Sequence, residues 1–445
     1  MARRRTARKV MPVTPVRTTI ESMTHDGRGV AHVDGKAVFI DEGLPGEELE
    51  FVYTDIRKDY AEGRVVNLLS RSEFRVDAEC PHYSMCGGCS FQHVDSAKQI
   101  QIKQELLEEQ FKRIGKLDIP QVWEALDGPH WGYRRKARMG VKYVAKKGRV
   151  LVGFREKRQP YLAEIESCKV MHPRVGMNLM VLSEMIGGLT IKDKIPQIEV
   201  AIGDDDCVLS IRVMEPPTQE DKERMRQFAH QLGMSICLQP KGPDTIVPID
   251  GEPEVMPTYA LPDHDIVFKF RPAMFTQVNY EINRHMVNRV IEALHLSQDD
   301  QVLDLFCGLG NFTLPMARRA GHVTGIEGDL PLIKHARENA LFNGITNAEF
   351  HAADLTKDIS EFPWANRRYN KILLDPSRAG ASDVLHHFKQ WQPETIVYVS
   401  CNPSTLARDA GILVNELGYK LIKAGVMNMF PQTAHVESIA LFEKR

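Results

Sequence analysis

The sequence predicts an α/β protein whose C-terminal part is a doubly wound, mostly parallel sheet and whose N-terminal part is a small β-barrel. From Phe275 onward, apolar runs such as QVLDLFCG and TIVYVSCN alternate with helical stretches, as in a parallel sheet covered by helices on both faces. Before residue 70, short alternating runs such as KAVFI are separated by turns that contain Gly and Pro, which is typical of a small all-β unit.

These patterns divide the chain into a tail and three domains. The predicted boundaries are 1–11 for a basic tail, 12–70 for the β-barrel, 71–270 for a central α+β domain and 271–445 for the α/β domain. In the central domain, Asp95 or Ser96 can cap a helix over 95–114 that ends at Gly115 and can pack with the C-terminal domain.

The composition is that of an ordinary globular protein. Of the 445 residues, 43% are hydrophobic and 26% are charged, and no apolar run approaches the ~20 residues that span a bilayer. The first ten residues, MARRRTARKV, are basic but lack the apolar core of a signal peptide. We therefore expect a cytoplasmic protein, with reduced thiols and no membrane partner.

The net charge of −2 hides two strongly basic segments. Residues 1–20 hold six Lys or Arg side chains and no acid, and residues 134–158 hold eleven with Glu156 as the only acid. The segment 134–158 also contains or adjoins three aromatic residues, Tyr133, Tyr143 and Phe154. Positive charge interleaved with aromatic rings predicts an RNA-binding surface for this segment. For the tail, a solvated charged surface is an equally good interpretation.

A nucleotide-like cofactor site is predicted where VLDLFCGLGNF runs from a strand through a glycine turn into a helix. Gly308 and Gly310 allow close approach of a ligand, and Glu327, nineteen residues after Gly308, can accept hydrogen bonds from a ribose. A dinucleotide site would need a third glycine for the pyrophosphate, and this chain has Thr313 there. S-adenosylmethionine, which carries no phosphate, is therefore favoured over NAD. The next strand ends at Asp354, near the expected adenine.

A candidate nucleophile, Cys401, ends the strand TIVYVS, and the neighbouring strand ends in Asp375-Pro-Ser-Arg378. Position alone does not distinguish a buried structural thiol from a reactive one. A methyl donor beside it favours the reactive thiol, because a thiolate that adds to C6 of a pyrimidine makes C5 nucleophilic enough to accept a methyl group.

Residues 275–445 resemble the RNA uracil-C5 methyltransferases. The matching motifs are Phe275-Thr-Gln-Val-Asn279, Asp304-Leu-Phe-Cys-Gly-Leu-Gly-Asn-Phe312, Asp375-Pro-Ser-Arg378, Ser400-Cys-Asn-Pro403 and His435-Val-Glu437. The resemblance implies a Rossmann-like S-adenosylmethionine-dependent methyltransferase domain with Cys401 as nucleophile and Glu437 as the base that removes the C5 proton. It also implies residues that contact the cofactor or order the site: Gln277, Phe306, Asn311, Glu327, Asp354 and Asp375. RNA cytosine-C5 methyltransferases would have a cysteine where this chain has Ser377.

A cysteine cluster in the central domain suggests a metal site. Cys80, Cys86 and Cys89 lie in a Gly-rich run, and Cys168 offers a fourth thiolate. Spacing alone leaves a four-cysteine zinc site open, although Cys168 does not belong to a second short Cys hairpin. The same family resemblance implies a [4Fe-4S] cluster on these four residues, for which a remote fourth ligand is acceptable.

The N-terminal barrel resembles the TRAM (OB-like) module through Asp26-Gly-Arg-Gly29, Asp34-Gly35 and Leu44-Pro-Gly-Glu47. Barrel and cysteine cluster together are similar to the branch of the family that acts on 23S ribosomal RNA, so we expect a monomeric enzyme with that RNA as partner. Two alternatives stay open at this point: a tRNA uridine-C5 methyltransferase with extra domains, and a non-catalytic RNA-binding assembly factor.

Overall fold

The computed structural model describes residues 12–24, 26–249, 251 and 254–445, so the basic tail expected for residues 1–11 lies outside the described residues. The chain divides into two compact units. The first comprises the chain up to Tyr83 together with Gly88–Gln101 and Gln432–His435. The second comprises Ser84–Gly87, Ile102–Pro431 and Val436–Arg445. Each unit is therefore built from segments that are distant in sequence.

The first unit is built around a six-stranded sheet within its described residues, in the order β1-β5-β6-β4-β3-β2. Its strands are β1 (Val16–Thr19), β2 (Ser22–Met23), β3 (Gly29–Val33), β4 (Lys36–Asp41), β5 (Glu48–Ile56) and β6 (Tyr60–Leu68). All neighbours pair antiparallel except β4 and β6, which are parallel. Alternate residues such as Ile40, Leu49 and Phe51 point into a small apolar core, as the period of two in the sequence predicts.

Helix α1 (Ser96–Gln110) begins at Asp95, whose side chain accepts hydrogen bonds from the backbone N–H groups of Ala97 and Lys98 at 3.0 and 3.3 Å. A π-helical turn over Phe111–Gly115 extends it, and Lys116 ends it in the left-handed conformation. Gly115 packs so tightly that an added Cβ would lie 2.7 Å from the carbonyl oxygen of Ala407.

A second sheet forms the middle of the chain, in the order β12-β11-β10-β9-β7-β8, and a separate hairpin, β13-β14, follows it. The elements are β7 (Lys136–Val144), β8 (Arg149–Gly153), α2 (Pro173–Gly176), α3 (Leu179–Gly187), β9 (Gln197–Ile202), β10 (Cys207–Arg212), α4 (Gln219–Leu232), β11 (Ser235–Gln239), β12 (Val247–Pro248), β13 (Thr258–Leu261) and β14 (Ile266–Lys269). Helices α3 and α4 contribute apolar side chains to the same core as this sheet.

The C-terminal sheet has the predicted doubly wound form, with strand order β17-β16-β15-β18-β19-β21-β20. Its elements are α5 (Tyr280–Leu294), β15 (Gln301–Leu305), α6 (Thr313–Ala317), β16 (His322–Glu327), α7 (Leu330–Phe342), β17 (Ala348–Ala352), β18 (Lys371–Leu374), α8 (Phe388–Trp391), β19 (Thr395–Ser400), α9 (Pro403–Asn415), β20 (Tyr419–Met427) and β21 (Glu437–Lys444). The strands from β17 to β19 are parallel, whereas β21 runs antiparallel to both of its neighbours.

Burial in this sheet follows its topology. Every residue of β19 is buried, since helices cover both faces of a central parallel strand. The order of strands reverses between β15 and β18, because the chain moves from β15 outward to β17 and then returns to the other side of β15. Ligands of doubly wound sheets bind at such a reversal, outside the carboxyl ends of the strands. In the part of the chain that the structure describes, no helix is long and apolar enough to cross a membrane.

Candidate active site

Five of the predicted site residues lie at the carboxyl ends of adjacent parallel strands. Glu327 is the last residue of β16, and Phe306, Asp375 and Cys401 directly follow β15, β18 and β19. Asp354 lies two residues beyond β17. Because these strands are parallel and in register, their carboxyl ends share one edge of the sheet. The sheet therefore brings residues from 306 to 401 to the edge where the strand order reverses.

The turn after β15 is shaped for close approach by a ligand. Phe306, Gly308 and Gly310 all have left-handed backbones, with φ of 66°, 57° and 91°. An added Cβ on Gly308 would meet nothing within 4 Å, so this glycine faces open space. A left-handed conformation is strained for a residue such as Phe306, and such strain concentrates at functional sites.

Glu327 is tied to this turn by its carboxylate. One oxygen accepts the backbone N–H of Gly308 and the other accepts that of Asp329, both at 3.1 Å. Each oxygen retains a second lone pair, which suits hydrogen bonds from the two hydroxyls of a ribose. The spacing of nineteen residues noted in the sequence thus corresponds to a direct contact.

Asn311 orders the turn from within the protein. Its Oδ1 accepts hydrogen bonds from Tyr259 Oη and Asn283 Nδ2, both at 3.0 Å, and its own Nδ2 donates to Asn283 Oδ1 at 2.9 Å. Tyr259 belongs to β13 and Asn283 to α5. Both the oxygen and the nitrogen of the Asn311 amide therefore form hydrogen bonds within the protein. This favours a role in ordering the site over direct contact with the cofactor.

Gln277 lies half-buried in the segment that leads into α5. The start of β7 holds this segment, because the N–H of Arg135 donates to the carbonyl of Val278 at 2.9 Å. Lys136 Nζ donates to the carbonyl oxygens of Pro272 and Met274. Burial lowers the pKa of this ammonium to about 8, the charge of Glu199 opposing this effect. Lys136 is thus a structural residue directed inward.

The structure shows which charges of the predicted RNA-binding segment 134–158 are paired within the protein, and the RNA-binding function of this segment stays a prediction. Acids from other segments neutralise several of its charges: Arg135 pairs with Asp204, Arg138 with Glu199, and Lys147 and Arg149 with Glu164. The aromatic residues of this region are also buried in part or in full. Tyr133 is 5% exposed and donates its hydroxyl to the carbonyl of Pro431 at 2.9 Å, and Tyr143 and Phe154 pack against the core of the central sheet.

Cys401 and Glu437 face each other across β19 and β21. Ser400 pairs with Ser438 in this antiparallel ladder, and Ser438 Oγ donates to the carbonyl of Ser400 at 3.1 Å. Cys401 follows Ser400 and Glu437 precedes Ser438, so the two occupy the next pair position, where opposed side chains point to the same face. Cys401 is half-buried and Glu437 is 5% exposed.

The acidic groups around Cys401 resist ionisation. Burial raises the pKa of Glu437 well above its usual value; the charge of Asp375 adds to this effect and Arg378 opposes it. Burial also raises the pKa of Asp375 to about 7, with Glu327 contributing. The pKa of the Cys401 thiol is raised first by burial and then by the charges of Glu437 and Asp375, whereas Arg378 lowers it.

Asp354 differs from the other carboxylates because it is exposed. Its pKa lies below the usual value, chiefly because the Thr356 hydroxyl and N–H donate to it, with Lys357 adding to the effect. The side chain is therefore ionised at neutral pH at the outer end of the row of site residues.

The four cysteines of the predicted metal site are half-buried. The backbone N–H of Cys80 donates to the side-chain oxygen of Gln92. Cys86 forms an isolated antiparallel β-bridge with Glu156, and the backbone N–H of Cys168 donates to the carbonyl of Gly176 at 2.7 Å. The donor chemistry, four thiols, fits a thiolate-bound metal group. Among the described residues, however, no three His, Cys, Asp or Glu side chains are grouped to hold a metal ion.

Comparison with known proteins agrees with this geometry. The family described as tRNA (uracil-5-)-methyltransferase matches residues 95–445, and the TRAM domain matches residues 9–66. The chain belongs to the RNA uracil-C5 methyltransferase family. It is thus an S-adenosylmethionine-dependent enzyme with an α/β methyltransferase fold and an N-terminal TRAM domain, so the predicted fold class and cofactor are confirmed to that extent.

Individual relatives of this uracil-C5 methyltransferase cover its whole length. It is 52% identical, over 98% of this chain and 99% of the relative, to the protein of Methylococcus capsulatus named 23S rRNA (uracil(1939)-C(5))-methyltransferase RlmD. It is 48% identical, over 98% of both chains, to the protein of the same name from Alkalilimnicola ehrlichii. The crystal structure of Pyrococcus abyssi tRNA (uracil-54, C5)-methyltransferase with S-adenosyl-L-homocysteine has the same fold, with a TM-score of 0.73, 23% identity and coverage of 96% of this chain and 99% of that one.

Sequence reasoning missed one ionisable residue of the site, Asp304. It is fully buried in β15, one of its oxygens accepts the Thr313 hydroxyl, and the other has no hydrogen-bond partner among the described residues. Burial raises the pKa of this carboxyl to about 8, since the Thr313 bond only partly offsets it and the charge of Asp375 adds to it. An acid inside the apolar run VLDLF was the available signal.

We predict that the wild-type protein loses stability as pH rises because of Asp304, and that Asp304→Asn does not show this loss. The folded protein keeps this proton up to about pH 8, whereas the unfolded chain releases it at about pH 4, so stability falls as pH rises between these values. The fall is at most about 1.4 kcal/mol per pH unit for this group. Urea unfolding at pH 5 and pH 8 should show that the Asp304→Asn variant gains over the wild type mainly at pH 8. The exposed Asp299→Asn is the matched control, and equal pH dependence of Asp304→Asn and wild type would contradict the prediction.

Proposed function

We propose that this chain methylates carbon 5 of uridine 1939 in 23S ribosomal RNA through a covalent bond between Cys401 and carbon 6 of that base. The observation that carries the reaction type is the position of Cys401 opposite Glu437 at the edge where the strand order reverses. The choice of substrate rests on relatives of up to 52% identity whose names give this RNA and this nucleotide.

The cofactor would be held by residues at the carboxyl edge of the sheet. Glu327 suits the ribose hydroxyls, and Asp354 lies at the end of the next strand, toward the expected adenine. The left-handed turn at Phe306 lets backbone approach the ligand. Asn311 orders that turn, and Gln277 and Asp375 complete the set of proposed residues. When bound, S-adenosylmethionine supplies an electron-poor methyl group to the activated C5.

Cys401 starts the reaction as a thiolate. Its sulfur forms a bond to C6, and the electrons of the C5–C6 double bond become available at C5 for the methyl group. The raised pKa values of Glu437 and Asp375 favour their neutral forms, which removes the repulsion that opposes this thiolate. Arg378 acts in the same direction by lowering the pKa of the thiol.

Glu437 completes the reaction as a base. Bonding of Cys401 to C6 removes the negative charge from sulfur, so Glu437 can release its own proton to solvent and become a carboxylate without facing a thiolate. Glu437 then accepts the proton from C5, the electrons restore the C5–C6 double bond, and the bond between C6 and sulfur breaks. Because burial raises its pKa, ionised Glu437 is a stronger base than an ordinary carboxylate.

RNA is the proposed partner of the remaining basic surface. Lys142, Lys146 and Arg155 are exposed, whereas the inward-facing Lys136 is not available to phosphates. The TRAM domain at residues 9–66 adds a second region that we propose to contact RNA. We further propose that the enzyme acts as a monomer in the cytoplasm, where ribosomal RNA is found.

The central domain is proposed to carry a [4Fe-4S] cluster bound by Cys80, Cys86, Cys89 and Cys168. Support comes from the resemblance to the 23S ribosomal RNA branch of the family and from the presence of four thiols, Cys168 being remote from the other three. Its function in this proposal is to stabilise the local fold and position RNA, because the chain lacks the C-x3-C-x2-C run of radical enzymes.

The substrate assignment predicts one methylated nucleotide. Purified protein with S-adenosylmethionine should methylate 23S ribosomal RNA that lacks the modification, and mapping should place the methyl group at uridine 1939. Cys401→Ala should bind the cofactor normally, because the thiol acts on the base, yet yield no product. Methylation of tRNA in place of 23S RNA would support the tRNA alternative, and no methylation by the wild type would favour an assembly factor.

The proposed base predicts a stalled intermediate. Glu437→Gln should still attack C6 and transfer the methyl group, but product release should slow by about 10²–10⁴-fold, the usual contribution of a positioned base. A methylated RNA–protein adduct with ordinary uridine should therefore survive denaturing electrophoresis. The double variant Cys401→Ala/Glu437→Gln is the control and should form none. If Glu437→Gln turns over normally and forms no adduct, another base removes the C5 proton.

The cluster predicts iron and sulfide in the purified protein. Anaerobic preparation should give a brown protein with about four iron and four sulfide ions per chain, as Cys₄ ligation of a four-iron cluster requires. Cys86→Ser should lose most of this iron. Cys401→Ala, which changes a thiol outside the set, should retain it. Stoichiometric zinc in a colourless, active protein would refute the iron assignment.

A further inference from the structure

The segment 428–436 connects β20 to β21 and determines where Glu437 lies. Met427, the last residue of β20, pairs with Glu437, the first residue of β21, so this nine-residue connection closes directly on the proposed base. Asn428 and Gln432 within it are 1% and 5% exposed. Buried polar side chains are costly unless they are hydrogen-bonded, so their partners show what holds the segment in place.

The first half of the segment is held by Lys103 of α1. Its Nζ donates to Asn428 Oδ1 at 2.9 Å and to the carbonyl of Phe430 at 3.0 Å. Lys103 is 1% exposed, and burial lowers its pKa to about 7, with Asp127 opposing that effect. The Asn428 amide in turn donates to Asp127 at 2.8 Å. A buried lysine is an uncommon way to fill a core, and here its hydrogen bonds go to this one segment.

The second half is held by Gln99, one helical turn before Lys103. Gln99 Oε1 accepts the backbone N–H of Gln432 at 2.9 Å, and Gln99 Nε2 donates to Gln432 Oε1 at 3.1 Å. The carbonyl of Gln432 accepts the N–H groups of Ser90 and Phe91, both at 3.0 Å. Gln432 has a φ of 68°, a left-handed conformation that a residue with a side chain adopts only when its surroundings impose it.

We propose that Gln99 and Lys103 are positioning residues for the proton-removal step, acting on Glu437 through the segment 428–436. They are four residues apart on α1 and so share one face of the helix. Apolar side chains could fill the same space, but they would not fix the backbone at Asn428, Phe430 and Gln432 by directional bonds. This inference rests on the proposed role of Glu437 as the base.

Gln99→Met tests the proposal against the matched control Gln101→Met, which changes an exposed glutamine of the same helix. Misplacement of a base by about 1 Å can cost about 100-fold, so we expect release of methylated RNA to slow by about 10–100-fold in Gln99→Met. Adduct formation should change by less than about threefold, because Cys401 follows β19 and is not attached to the segment 428–436. Cofactor affinity should be unchanged. Gln101→Met should match the wild type in all three measurements.

A second pair of variants covers the outcome in which Gln99→Met does not fold, as judged by lost cofactor binding. Gln99→Asn keeps the amide but withdraws it by one methylene. Lys103→Met removes the bonds to Asn428 and Phe430 together with the charge that interacts with Asp127. Each should accumulate the methylated adduct seen with Glu437→Gln, to a smaller extent. If Glu437→Gln accumulates adduct but these variants release product at the wild-type rate, the positioning role is wrong. If Glu437→Gln itself accumulates none, the proposed base has failed instead.

Discussion

The antiparallel placement of β21 between β19 and β20 is the constraint on which the site depends. In a purely parallel sheet, the residues at this edge all come from the carboxyl ends of strands. Because β21 runs the opposite way, its first residue, Glu437, reaches the same edge as Cys401, the residue after β19. The pairing of Ser400 with Ser438 sets this register, and a slip by one residue would turn Glu437 to the other face. The backbone hydrogen bonds between β19 and β21 therefore place the Cys401 thiol and the Glu437 carboxyl opposite each other.

A second property of the site is the burial of its acids. Burial is the first cause of the raised pKa values of Glu437, Asp375 and Asp304, which lie at or just beneath one edge of the sheet. Such a site favours neutral groups until a reaction step changes the charge next to them. In the proposed mechanism, that step is the conversion of the Cys401 thiolate into a thioether, which links the ionisation of the base to the progress of methyl transfer.

The elements that the sequence predicted well are those with local signals. The strand-turn-helix around Gly308, the spacing to Glu327 and the helix that begins at Asp95 each depend on residues close in the chain. The surface predicted over 134–158 depends on distant residues, so the sequence does not show which of its charges are paired within the protein. Tyr133 precedes β7, and the sequence does not show that its hydroxyl bonds to the distant Pro431 carbonyl, so it resembles an RNA-stacking ring. The acids that neutralise this segment, Asp204 among them, are brought by the fold.

The division of the chain has a consequence for the modular gain and loss of domains. Residues 432–435 belong to the compact unit that contains the N-terminal six-stranded sheet, although more than 300 positions separate them from Gln99. A gene that lost everything before residue 102 would leave the N–H and carbonyl of Gln432 without the groups that now satisfy them. The N-terminal region therefore is not an appendage that evolution can delete at one boundary. Its removal demands a compensating redesign of the connection between the last two strands.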